Sequence, residues 1–93
     1  MEVWVVGWYD CEGSYIRSIH KTYAGAFKAW DRIRNDLLSS AKEDIESCKK
    51  KKRDKVYIEM YLEMIKNLSC DKPDKIDNHP WETPFLRRYI VED

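Results

Sequence analysis

Between residues 26 and 72 this chain carries no glycine and no proline, although it has three of each: Gly7, Gly13 and Gly25 precede the block, and Pro73, Pro80 and Pro84 come after it. Those two residues are the strongest local breakers of regular structure, so the block is expected to be helical. The two ends of the chain are rich in aromatic and β-branched residues and read as strands.

Residues 3–9 form the first such run. Asp10-Cys11-Glu12-Gly13-Ser14 interrupts it, and residues 15–21 form a second, so residues 2–21 are expected to be a β-hairpin with Gly13 in its loop. Thr22 is the candidate N-cap of the first helix. Ala26, Phe27, Trp30, Ile33, Leu37, Ala41, Ile45 and Cys48 then recur at steps of three and four, the mark of one amphipathic helix face. Ser40-Ala41-Lys42-Glu43 has the form of a capping box, and a break near residue 39 is the competing reading.

Five consecutive basic residues, Lys49, Lys50, Lys51, Lys52 and Arg53, end that pattern. They suit the C-terminal end of a helix, and Asp54 is placed to cap a second one. This second helix carries Val56, Tyr57, Met60, Tyr61, Met64, Ile65 and Leu68 on one broad face, with Ile58 and Leu62 off it. Residues 23–69 are thus expected to be an antiparallel helical hairpin. A single helix over the same span is the rival, but charged residues fall on the seam that a coiled-coil partner would need.

Residues 70–84 read as an irregular connection, and residues 85–91 as the last strand. The fold expected is a single α+β domain: a three-stranded antiparallel sheet of order 2-1-3, with the helix pair inserted before the last strand. The first strand is placed centrally because it is apolar on both faces. Arg17 and Lys21 then lie on one edge, Arg87 and Arg88 on the other.

In a chain of 93 residues, 17 basic and 17 acidic side chains cancel. That balance argues against a polyanion mimic and against a surface that is basic throughout. The chain opens on an apolar strand rather than a signal-peptide pattern, and no run approaches the roughly 20 apolar residues that span a bilayer. A cytoplasmic protein with no membrane role is expected. Cys11, Cys48 and Cys70 are odd in number and widely spaced, which suits reduced thiols rather than a disulfide framework or a zinc site.

An apolar strand starting at Met1, a helix entered through Thr22-Tyr23-Ala24-Gly25-Ala26-Phe27-Lys28-Ala29-Trp30, and the closing Tyr89-Ile90-Val91-Glu92 together resemble the small ββαβ proteins of uncharacterised activity frequent in bacteriophage and prophage genomes. The likeness covers about half the chain; the second helix and the connection after residue 71 look like an insertion. It implies an accessory protein of a mobile element that binds and alters a host factor or a defence system, in the manner of an anti-CRISPR protein. It implies no catalytic residue.

Three constellations bear on function. By strict alternation Trp4, Val6 and Trp8 share one face of the first strand, and Val3, Val5 and Gly7 the other; in the last strand Phe85, Arg87 and Tyr89 oppose Leu86, Arg88 and Ile90. An aromatic and arginine face is therefore expected opposite an aliphatic one. Helices over the aliphatic face would leave Trp4, Trp8, Arg17, Arg87 and Tyr89 as a partner-binding surface. Helices over the aromatic face would make these core residues. The basic run, with Lys55 beside it, would neutralise several phosphates if it met nucleic acid, and is otherwise a solvated turn. Tyr57, Met60, Tyr61 and Met64 form a face that serves either as core against the first helix or as an adaptable contact for a homodimer or protein target.

No metal, cofactor or nucleotide motif accompanies these. Asp74, Asp77 and His79 lie in a proline-bounded loop and read as turn formers. Cys11 and His20 have neither an oxyanion loop nor a third orienting group. The chain is expected not to be an enzyme and to use no cofactor. Its expected role is to bind a host protein, with nucleic-acid binding through the basic run, or a structural homodimer, as alternatives.

Overall fold

A computed structural model describes residues 1–52 and 55–92. Glu2–Asp10 (β1) and Gly13–His20 (β2) form the hairpin, Tyr23–Lys50 (α1) and Lys55–Leu68 (α2) the helical pair, and Thr83–Ile90 (β3) completes the sheet. Both pairings are antiparallel and the order is β2-β1-β3, so fold class, sheet order and the place of the helix pair are as the sequence leads one to expect. β1 is central, with Val5, Val6 and Gly7 all buried.

The hairpin turns on Asp10. Its Oδ1 accepts the backbone N–H groups of Glu12 at 2.8 Å and Gly13 at 3.2 Å, leaving Cys11 and Glu12 as a two-residue loop. Gly13 pairs with Asp10 as the first residue of β2 rather than lying within the loop. Its φ of 156° is one that side-chain-bearing residues rarely adopt.

Thr22 caps α1 as expected, its hydroxyl accepting the Gly25 N–H at 3.1 Å. The helix then runs unbroken for 28 residues, about 42 Å at 1.5 Å per residue. The capping box at residues 40–43 is not used, because Ala41, Ile45 and Cys48 continue the buried face in phase. Lys52, at φ 51°, takes the left-handed conformation that stops a helix, here without a glycine. That stop rules out one continuous helix over 23–69. Arg53 and the proposed cap Asp54 lie outside the described residues.

The first half of α1 lies on the sheet. Ala26 and Trp30 are fully buried with Val6, Leu68 and Ile76, and Trp4, Ile33, Leu37 and Leu86 pack around them. The Trp30 indole N–H donates to the Pro84 carbonyl at 3.1 Å, fastening α1 to β3. The second half of α1 overshoots the sheet alongside α2, which accounts for extents of 56 × 24 × 19 Å. On α2 the half-buried positions include Ile58, Tyr61 and Ile65, leading to buried Leu68, while Val56, Tyr57 and Leu62 are exposed. Ile58 therefore replaces Val56 and Tyr57 on the covered side: the apolar face of α2 is broader than one helix can cover, and only packing chooses the contact line.

The connection is irregular but anchored. Buried Asn78 accepts from Asn67 Nδ2 at 3.2 Å, donates to the Glu82 carbonyl at 3.1 Å, and its backbone N–H donates to Thr83 Oγ1 at 3.0 Å. Arg34 bonds Asp31 and also the Leu68 carbonyl at 2.9 Å, closing the end of α2. β3 begins at Thr83, two residues before the expected start, and includes Pro84 opposite Trp8. An edge strand tolerates proline because one side of its backbone needs no ladder partner.

Candidate functional site

In an antiparallel pair, directly opposed residues point to the same face of the sheet. Trp4 opposes Arg88, Val6 opposes Leu86 and Trp8 opposes Pro84; Val3 opposes Tyr89, Val5 opposes Arg87 and Gly7 opposes Phe85. Trp4 and Trp8 are thus on the side of the helices, and Arg87 and Tyr89 on the far side. This corrects the expected aromatic and arginine surface, whose members the register divides between two faces. Gly7 is the physical reason: the Phe85 ring lies over it, and a Cβ there would meet the ring's Cζ at 2.9 Å.

The helices cover the tryptophan face, not the Val3, Val5 and Gly7 face. Trp4 packs against the core, so it is not an exposed contact residue. Trp8 is half-buried and stacks on Tyr15 with ring centroids 5.6 Å apart. Arg17 is exposed and, with Trp8, lines a cleft between β2 and α1.

Among the described residues no helix lies on the far face of the sheet. On it, over β3 and β1, the Arg87 guanidinium sits 4.5 Å from the Phe85 ring centroid and 5.9 Å from that of Tyr9, within the range of a cation–π contact. This stack shields Val5 and Phe85, which are 8% and 6% exposed. Around it Ile16, Ile19 and Tyr89 are 66%, 63% and 47% exposed.

Ile16 and Ile19 owe their shared face to an irregularity. Three residues apart, they would point to opposite sides of a regular strand. The register shifts between Val6 and Gly7, so that Ser18 opposes Val6 and Ile16 opposes Gly7, with Arg17 the extra residue. Ile19, opposite Val5, and Ile16, opposite Gly7, therefore lie together on the far face. Alternation alone misses this pair, and nothing local in residues 15–20 announces a bulge.

At the other pole Lys49 and Lys50 occupy the last turn of α1, Lys51 is its C-cap and Lys52 lies in the turn; Arg53 of the same run is outside the described residues. Lys49 makes a solvent-exposed ion pair with Glu46 at 3.9 Å. Lys50, Lys51 and Lys52 have no ion-pair partner among the described residues. The tip stands about 30 Å beyond Trp30 along α1. Tyr57 of the methionine and tyrosine face is exposed, while Met60, Tyr61 and Met64 are half-buried.

The remaining candidates stay apart. The His79 N–H donates to Asp77 Oδ1 at 2.9 Å, a turn-forming contact. Cys11 sits in the hairpin loop, whereas His20, hydrogen-bonded to Ser18 Oγ at 2.7 Å, pairs with Trp4 at the opposite end of β2. Among the described residues no group of three or more His, Cys, Asp or Glu side chains is placed to hold a metal ion, and no helix is long and apolar enough to cross a membrane. Comparison with protein-family models, curated proteins and solved structures finds no match to this chain.

Proposed function

We propose that this protein is a non-enzymatic protein-binding module whose contact surface is the helix-free sheet face formed by Ile16, Ile19, Arg87 and Tyr89. Its target is a host protein, such as a component of an antiviral defence system, and the protein acts by occluding or remodelling it. The observation that carries the reading is the exposure of two isoleucines, 66% and 63%, side by side on β2 and on the same sheet face as an arginine of β3 stacked on aromatics. Interface centres are enriched in aromatic residues and arginine over an apolar base. The host context rests on the resemblance of the chain ends to phage accessory proteins.

The test compares wild-type protein with an Ile16→Asp/Ile19→Asp variant as bait in nuclease-treated bacterial lysate, with mass determination by light scattering on each bait alone. A protein held stoichiometrically by wild type and released by the variant supports the reading; retention by both overturns the assigned face. A wild-type dimer that the variant makes monomeric would replace the host target by a second copy of this chain.

The lysine tip supports a second reading, contact with nucleic acid, because Lys50, Lys51 and Lys52 at the far pole have no ion-pair partner among the described residues. Such contact weakens steeply with salt. Retention of duplex DNA or RNA at low salt should vanish in Lys50→Glu/Lys51→Glu/Lys52→Glu, with the melting temperature nearly unchanged; retention that survives this change ends the reading.

A further inference from the structure

Between β2 and the middle of α1 lies a cleft of about 460 Å³, on the helix side of the sheet and separate from the isoleucine face. Arg17 and Ser18 line it from β2 and Arg32 from α1, with His20 at the end of β2. Among the described residues neither arginine is ion-paired, although Asp36 is one helical turn from Arg32. Two guanidinium groups brought to one concavity from different elements raise the local concentration of anions, and their planar donors match a phosphate. The hydrogen-bonded Ser18 and His20 side chains add polar atoms to the lining. Trp8, backed by Tyr15, and the aliphatic Ala29, Ile33 and Leu37 supply an apolar floor.

The cleft does not suit a bare anion. Asp36 and Glu82 also line it, without ion-pair partners among the described residues, and their carboxylates accept hydrogen bonds while repelling negative charge. A fitting ligand joins a negative charge to a flat ring that carries amino donors. We infer that this cleft binds a nucleoside monophosphate with an amino-bearing base: phosphate on Arg17 and Arg32, base against Trp8, exocyclic amino group toward Asp36 and Glu82. The volume falls within the roughly 300–1,000 Å³ usual for clefts that hold small molecules, and stacking of a base on an indole is favourable whatever the base.

The test is calorimetric titration of the full chain with AMP, IMP, adenosine and inorganic phosphate, paired with tryptophan fluorescence. AMP should bind with a dissociation constant below about 1 mM, and adenosine and phosphate each at least about tenfold more weakly, since each lacks half of the recognised groups. IMP, which has an oxygen where AMP has its amino group, should bind several-fold more weakly than AMP, and Asp36→Asn should narrow that difference. Arg17→Gln and Arg32→Gln, both at exposed positions, should each weaken AMP about tenfold while leaving the circular dichroism spectrum unchanged. The inference is overturned if AMP does not saturate, if phosphate binds as tightly as AMP, or if affinity falls with Lys50→Gln/Lys51→Gln instead of with the arginine variants.

Discussion

Replacing Gly7 by alanine would place a methyl group 1.9 Å from the Tyr15 carbonyl oxygen and 2.9 Å from the Tyr15 carbonyl carbon and from Phe85 Cζ. The two Tyr15 atoms belong to the backbone of the paired strand and cannot rotate away. The ring could shift, but it is 6% exposed beneath Arg87, and moving it would uncover apolar surface. Added methylenes in packed cores cost about 1–3 kcal/mol. A backbone neighbour puts this site at the upper end, about 3 kcal/mol. At about 4–8 °C per kcal/mol for a domain of this size, the melting temperature should fall by about 12–24 °C. Thermal and urea unfolding followed by circular dichroism measure it. Adding Phe85→Leu should restore only a small part of the loss, because the carbonyl contact remains. A Gly7→Ala protein melting within about 3 °C of wild type, or full rescue by the second change, would refute the register that sets Gly7 between Ile16 and Phe85. Gly13→Ala is the contrast: nothing lies within 4 Å of its Cβ position, so only the φ of 156° opposes it, and the cost should be about 1 kcal/mol.

Trp30→Phe removes the indole donor from a fully buried site and leaves the Pro84 carbonyl unpaired beside a small void; urea midpoints should show a loss of about 2–4 kcal/mol, and a loss under about 1 kcal/mol would mean the indole bond contributes nothing. Asn78→Ala should cost about 2 kcal/mol by the same measurement, since the Glu82 carbonyl and Asn67 amide both lose a partner; an unchanged midpoint would show that water replaces it. In Arg34→Lys a single ammonium cannot hold both Asp31 and the Leu68 carbonyl, so amide hydrogens in the last turn of α2 should exchange faster while those of β1 do not, and uniform exchange would refute a local role.

Much of the fold is legible in the residues. The glycine- and proline-free block, Thr22 and the unbroken apolar face from Ala26 to Cys48 specify α1 through local energetics: caps, periodicity and the absence of breakers. The two-sided apolar character of residues 3–8 places β1 in the middle of the sheet. The surfaces are less legible. Strict alternation groups Trp4 and Trp8 with Arg87 and Tyr89, but the faces of two strands are related only through their pairing, and a shift of one residue exchanges every side chain between faces. The covered line on α2 is hidden for a similar reason, since Val56, Tyr57 and Ile58 are all apolar and their order says nothing of where α1 will lie.

The sequence by itself determines the elements, their order in the sheet and the concentration of positive charge at the turn between the helices, because each arises from interactions among residues near in the chain or from which strand can be buried on both sides. Tertiary structure alone decides which sheet face is left bare. That choice depends on Phe85 folding over Gly7 and on the bulge at Arg17 bringing Ile16 and Ile19 together, contacts between segments that are distant in sequence and leave no periodic trace in either.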